Sequence, residues 1–288
     1  MPPIAERARA KINLTLRVLG RRADRYHLLE SLIVFADVGD NVRLTPGPTP
    51  SVRMSGQYIG AISGRNLIDT TLERLVTADP TLVTGAVQVD KHLPIAAGIG
   101  GGSADAAAVL RAVRRLNPLS SVDWLAIAAS LGADVPVCLA DRASFVWGTG
   151  EHIEPVTALP RLDAVLVCPL AAAPLEKTRS VFAQLEAPAR EHCDPPAPLP
   201  TFAGQAELIQ YMRGIGNDLR APAHALLPAS AAAETALAAR PDCLYVSLSG
   251  AGPTTYGLFA DATRARAAAD HLRAAHPDWW IVATTLGD

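Results

Sequence analysis

The chain is short of net charge, of cysteine and of long apolar runs, and each shortage removes a class of protein. Its 26 lysines and arginines stand against 28 aspartates and glutamates, a formal charge of −2 over 288 residues. No broad basic surface follows, so nucleic acid is a poor partner and any phosphate must meet a local cluster of donors. The four cysteines, Cys138, Cys168, Cys193 and Cys243, form no CxxC pair and have no histidine at ligand spacing. That argues against a zinc site, and a chain of this size folds without disulfide staples, so thiols buried in a reducing cytoplasm are expected. The most apolar stretch, residues 164–175, contains two prolines and falls far below the roughly 20 residues that cross a bilayer. The opening segment MPPIAERARAKINLTL carries Glu6, Arg7, Arg9 and Lys11 where a secretory signal would be apolar. A soluble, cytoplasmic protein is expected.

What is present is a core-forming composition, 49% hydrophobic, in a chain long enough for two domains. Residues 11–18 alternate, with Ile12, Leu14, Leu16 and Val18 on one face, and residues 40–44 and 86–90 repeat that pattern of a half-buried strand. Leu67, Ile68, Leu72 and Leu75 predict a helix over 66–76. Another, over 103–116, stacks Val109, Leu110, Val113 and Leu116 opposite Arg111, Arg114 and Arg115 and stops at Asn117-Pro118. A third, over 122–131, ends at Gly132, after which Ala133, Asp134, Val135 and Pro136 are predicted to leave in extended form. Five prolines between 186 and 204 predict an exposed loop inserted in the C-terminal half. Strand-like 164–168, 244–248 and 255–259, with an amphipathic helix over 263–275, make that half read as α+β.

The most informative segment is 93–108, LPIAAGIGGGSADAAA, where a strand ends, glycines cluster at Gly98, Gly100, Gly101 and Gly102, and a helix opens at Ser103. Glycines leave backbone N–H groups free to converge on an anion, and the helix adds its positive N-terminal end. The loop is not a Walker A motif, because Gly102 runs straight into Ser103 with no lysine between. A dinucleotide fingerprint from Gly98 would want Gly or Ala where Ser103 stands. A tight strand-to-helix turn with Ser103 as N-cap remains open on these residues alone, although four glycines in five positions favour a ligand. Asp105 suits the helix dipole but would repel phosphate, so it is expected to face away.

The loop resembles the phosphate-binding motif of the GHMP kinases, and the resemblance runs nearly end to end. It includes Ala10-Lys11-Ile12-Asn13-Leu14, Arg22-Ala23-Asp24-Arg25-Tyr26-His27, Asn66-Leu67-Ile68 and Leu131-Gly132-Ala133-Asp134-Val135-Pro136. Asn217-Asp218-Leu219 and Ser249-Gly250-Ala251-Gly252-Pro253-Thr254 complete it. The early lysine and asparagine, the tyrosine-histidine pair and LGADVP, in this order, resemble the branch that phosphorylates a cytidine-tagged sugar-alcohol phosphate in non-mevalonate isoprenoid synthesis. Two departures stand out: Arg25 where the family usually has glycine, and Ala104 for a common second serine.

The resemblance implies an α+β, two-domain GHMP kinase fold, with a ribosomal-S5-domain-2-like N-terminal domain over 1–155 and a ferredoxin-like α/β sandwich over 156–288. It implies ATP with Mg²⁺ as phosphate donor and a small-molecule acceptor, handled by a monomer or homodimer without nucleic acid or membrane. By matching position, Asp134 is the catalytic base and Lys11 lends positive charge beside it. Pro94, Ile95, Ala96, Ala97, Gly98, Ile99, Gly100, Gly101, Gly102, Ser103 and Ala104 form the ATP loop, with Asn66 and Lys91 near adenine. Ser103 also approaches Mg²⁺, for which no carboxylate ligand is named. Tyr26 and Phe182 match an aromatic pair that holds cytosine, His27 hydrogen-bonds that base, Asn13 contacts the reacting end, and Thr178 is a lesser contact. Each has a plainer reading: a turn aspartate, a solvated strand lysine, core aromatics, a helix cap. Homoserine- or mevalonate-type kinases share the fold, but Tyr26-His27 argues against them. Lys11 and Asp134 together argue against a non-catalytic nucleotide-binding module.

Overall fold

The first strand lies further upstream than the alternation at 11–18 predicts. In the computed structural model, which describes residues 2–59, 66–171, 174 and 176–287, β1 runs Ile4–Asn13 and buries Ala8, Ala10 and Ile12 completely. Leu14 and Leu16 are also buried, but there the chain leaves its ladder: Leu14 N–H bonds to Leu32 O and Leu16 N–H to Gly216 O. β2 then covers only Arg17–Arg21. The chain forms two compact units, 1–11, 38–95 and 100–141 in one and 12–37, 96–99 and 142–288 in the other. Both are discontinuous because β1 and β3 (His27–Pro46) are long strands that contribute to each, whereas the resemblance implies one cut after residue 155.

In the first unit, β3 pairs antiparallel with β5 (Gly85–Lys91), which pairs parallel with β4 (Ser51–Gly56). The alternation at 40–44 and 86–90 lies inside these strands. Helices α1 (Leu67–Ala78), α2 (Gly101–Leu116), α3 (Trp124–Leu131) and α4 (Val135–Ala140) pack together. Asn66 caps α1 by accepting from the Asp69 amide, and Ile68, Leu72 and Leu75 are its buried stripe. α2 is buried along Ala104, Ala106, Ala107, Ala108 and Ala112, small residues that let neighbouring helices approach closely. Two predictions need correction. α2 opens at Gly101 with Gly100 as its N-cap at φ 67°, so Ser103 is its third residue and not its cap. Residues 135–140 are helical, since Pro136 sits in the first turn of α4, where its missing N–H costs nothing.

In the second unit, β8 (Leu162–Pro169), β9 (Cys243–Leu248), β10 (Thr255–Phe259) and β11 (Trp279–Leu286) lie antiparallel in the order β11-β8-β10-β9. α8 (Pro228–Ala238) and α9 (Ala262–Ala275) cover this sheet through Ala233, Leu237, Ala269 and Leu272, which meet Val165, Val167, Phe259 and Ile281. Strand, helices, two strands, helix, strand in that spatial order is the ferredoxin-like sandwich. The first half of β3 pairs with β2 and with β6 (Ser144–Gly148), which pairs with β7 (His152–Pro155). α5 (Lys177–Ala183), α6 (Gln205–Ile215) and α7 (Arg220–Leu226) complete the unit. All four cysteines are free, Cys138 and Cys168 buried and the other two half-buried. Among the described residues no helix is long and apolar enough to cross a membrane.

Candidate active site

Asp134 stands at the N-cap of α4 and makes no capping bond with its side chain, which frees the carboxylate to turn elsewhere. It accepts from Lys11 at the end of β1, Nζ to Oδ1 2.7 Å. The pair is uneven: the lysine side chain is 6% exposed and that of the aspartate 47%. Oδ2 of Asp134 has no protein partner among the described residues, so a hydroxyl proton can be accepted there. A Cβ on Gly100 would stand 3.2 Å from Lys11 Cβ, so the glycine turn crosses directly over the lysine stem. No side chain caps α2, and a Cβ on Gly102 would meet nothing within 4 Å. First-turn amides left without acceptors beside open space fit a polyphosphate.

The two feet of the glycine loop are tied together by a buried charge cluster. Asp40 on β3, fully buried, takes the amides of His92 and Leu93 on Oδ1, at 2.6 and 2.8 Å, and the Lys91 ammonium on Oδ2. Lys91 also donates to Asp105 Oδ2 on α2 at 2.7 Å. Lys91, expected near adenine, has its ammonium held inward by two carboxylates at 4% residue exposure. Asp105 faces Lys91 from inside the helix, and burial pushes its carboxyl up to about 7, with Lys91 opposing and Asp40 adding to the rise. Asn66 spends its side-chain oxygen on capping α1, leaving only Nδ2 for a ligand. Pro94 is buried and Ile95 half-buried at the loop entrance, and Ala104 is buried in α2.

In the second unit the loop residues Ala96, Ala97, Gly98 and Ile99 meet the 249–254 turn. Thr254 N–H donates to Ala97 O at 3.0 Å and Ser249 Oγ to Gly98 O at 3.4 Å. A Cβ on Gly98 would lie 2.2 Å from Gly252 O, so only glycine allows this approach. Lys177, the first residue of α5, donates to Ala96 O at 2.7 Å and to Gly252 O. Asn13 donates through Nδ2 to Ser31 Oγ at 2.7 Å, and its backbone N–H bonds Ser249 Oγ. Asn13 Oδ1 is buried without a partner among the described residues.

Tyr26 lies in the β2–β3 turn, 62% exposed, with its amide bonded to Asp24 Oδ1. Arg25 beside it holds φ 75°, the left-handed backbone that favours glycine. His27 stacks on Phe182, ring centroids 4.7 Å apart, and burial followed by the Arg21 charge lowers its pKa. Among the described residues no ring contact joins Tyr26 to Phe182, and His27 lies against one face of the Phe182 ring. Thr178 is exposed in the first turn of α5. The proline-rich segment is not a loose loop at its start: Arg21 N–H bonds Pro188 O, Arg190 N–H bonds Arg21 O, and Ala23 N–H bonds Glu191. Pro196, Pro198 and Pro200 wall a cavity of about 250 Å³ with Thr15, Arg17, Glu30 and Tyr211. Among the described residues no group of three or more His, Cys, Asp or Glu could hold a metal.

Sequence reasoning passed over Lys177 and Asp40. The signal for Lys177 was its place four residues before the buried Val181, which puts both on one helical face.

The GHMP kinases N terminal domain matches residues 66–148, and the GHMP kinases C terminal domain matches 204–278. A homoserine kinase from Cytophaga hutchinsonii superposes with a TM-score of 0.68 at 15% identity, over 100% of this chain and 96% of its own, which speaks for the fold alone. With the Lys11–Asp134 pair under a glycine turn, these matches define a GHMP kinase. The 4-diphosphocytidyl-2-C-methyl-D-erythritol kinase of Cereibacter sphaeroides is 47% identical over 95% of this chain and 96% of its own. That of Dinoroseobacter shibae is 44% identical over 99% and 95%. The crystal structure of a 4-(cytidine 5'-diphospho)-2C-methyl-D-erythritol kinase, 32% identical, covers 99% of this chain and 100% of its own with a TM-score of 0.75. The chain belongs to the 4-diphosphocytidyl-2-C-methyl-D-erythritol kinase family.

Proposed function

We propose that this protein uses ATP to phosphorylate the 2-hydroxyl of 4-diphosphocytidyl-2-C-methyl-D-erythritol, giving the 2-phosphate and ADP, in the non-mevalonate route to isoprenoid precursors. The observation that carries the reading is the Lys11–Asp134 contact of 2.7 Å at the glycine turn of α2. ATP brings the phosphoryl group together with Mg²⁺, which screens its charge. Asp134 takes the proton of the attacking hydroxyl through its unpaired oxygen. Lys11 holds that carboxylate in place and lends positive charge as the new bond forms, in a reaction that depends chiefly on positioning and electrostatics. The amides of residues 97–103 hold the phosphates, and no lysine of Walker type is needed for that.

On the acceptor side, Tyr26 and Phe182 supply stacking for cytosine, His27 supplies a hydrogen bond, and Asn13 offers Oδ1 to a substrate hydroxyl. Thr178 is near enough in sequence to share the Phe182 contact. A cytoplasmic location and action as a monomer or homodimer, without nucleic acid or membrane, belong to the same reading.

The test is to mix pure protein with Mg-ATP and the cytidine substrate and follow phosphorus NMR. A new phosphate monoester resonance is expected, with none when homoserine or mevalonate replaces the substrate. Folded protein that yields no resonance rejects the reading.

A further inference from the structure

A peptide group points its N–H opposite to the C=O of the residue before it. In the segment 96–99 the carbonyls of Ala96, Ala97 and Gly98 are all taken, by Lys177 Nζ, Thr254 N–H and Ser249 Oγ. The N–H groups of Ala97, Gly98 and Ile99 therefore face away from those donors, and among the described residues none has an acceptor. Positive φ at Ala96, Gly98 and Gly100 (56°, 78° and 67°) alternates with Ala97 and Ile99, which lack it, and left-handed residues at alternate positions are one half of the pattern that makes an anion-binding nest. Two of the three donors that set this orientation come from the turn itself. The third is the ammonium of Lys177.

Lys177 is 7% exposed and, among the described residues, has no carboxylate partner. A buried ammonium without a counter-charge is costly and is poor structural glue. Its two acceptors are both carbonyls of the phosphate-loop assembly, Ala96 O and Gly252 O. We infer that Lys177 is a positioning residue for the ATP phosphates: its ammonium pulls the Ala96 and Gly252 carbonyls back and so aims the amides of residues 97–99 at the incoming anion. The charge that Lys177 lacks from the protein is supplied by that anion.

Burial lowers the Lys177 pKa to about 8, with Cys168 opposing. Cys168 on β8 is the titratable group that faces it, and burial pushes that thiol up to about 11. On α5 itself Arg179 pairs with Glu176, on the packed α7 Arg220 and His224 are both engaged by Glu234, and His27 stacks on Phe182. His27 and His224 have lowered pKa values and titrate on the acid side. The clamp is therefore strongest below about pH 8 and weakens above it, as the ammonium becomes an amine with fewer and weaker donors.

The inference rests on the ATP-kinase reading, and wild-type transfer tests that reading separately. Steady-state kinetics of Lys177→Met should show the ATP KM raised about tenfold, with kcat and the acceptor KM changed less than about twofold. Lys177→Arg should bring the ATP KM back to within about threefold of wild type. In wild type, kcat/KM for ATP should fall on the alkaline side of about pH 8, and Lys177→Met should lack that limb. An unchanged ATP KM in Lys177→Met, or the same alkaline limb in both proteins, overturns the inference. Should Lys177→Met fail to fold, calorimetry of wild type with ATP in two buffers of different ionisation enthalpy at about pH 8 decides. Proton uptake on binding supports the inference, and its absence overturns it.

Discussion

Lys91 and Lys177 are equally hidden, at 4% and 7% exposure, yet their surroundings are opposite. Lys91 sits between the carboxylates of Asp40 and Asp105, and Lys177 meets only main-chain carbonyls. Burial alone would lower both pKa values. At Lys91 the charges of Asp105 and Asp40 outweigh burial and raise the pKa, while at Lys177 burial wins and lowers it to about 8. The difference separates a lysine that holds architecture together from one whose balancing charge arrives with a ligand.

The scale for any loss of function comes from the Lys11–Asp134 pair. Asp134→Asn should cut kcat by roughly 10³ to 10⁴, about 4–5.5 kcal/mol in transition-state stabilisation, and leave ATP binding within about threefold. Single-turnover kinetics and calorimetry check the two halves. Next in size, Lys91→Met strands the buried Asp40 carboxylate, takes away a donor to Asp105 and should lose about 3–5 kcal/mol in urea unfolding. Lys177→Met strands no charge and should lose only about 1–2 kcal/mol, for its two carbonyls. Equal losses would erase the contrast.

A pH series sharpens it further. The Asp105 carboxyl is raised to about 7 in the folded chain, against 3.8 for an ordinary aspartate, so the fold favours its protonated form. Its contribution to stability is full below the ordinary value and is lost as pH climbs through about 7. Asp105→Asn should gain on wild type in melting temperature between about pH 5 and 8, whereas a constant offset would mean that Asp105 does not titrate in that window. The smallest effect lies at Arg25, where strain and not charge is the burden. Arg25→Gly relieves φ 75° and should stabilise by about 0.5–1 kcal/mol. A loss instead would show that the arginine side chain makes a compensating contact.

What could be read from the chain was whatever short-range pattern controls. α1, α3, α9, β5 and β8 to β10 follow periodicity and turn residues, and the glycine loop declares itself by composition. β3 was visible only at 40–44, because residues 31–36 are buried without a break and carry no alternation. Pro136 misled because the residue before proline favours extended backbone, yet proline is equally at home in a first helical turn. The Asp40–Lys91–Asp105 cluster joins residues 51 and 14 positions apart, beyond any local rule. Lys177 could not be read because the carbonyls it meets lie 81 and 75 positions away along the chain.

The near-collision of Gly98 with the Gly252 oxygen, 2.2 Å from where a Cβ would be, has an evolutionary edge. The obstacle is a main-chain atom that every amino acid possesses, so no replacement at 252 makes room for alanine at 98. In a saturation library with selection for growth, position 98 should therefore stay monochrome even when every other codon is free to drift, because no second-site revertant can remove a peptide oxygen.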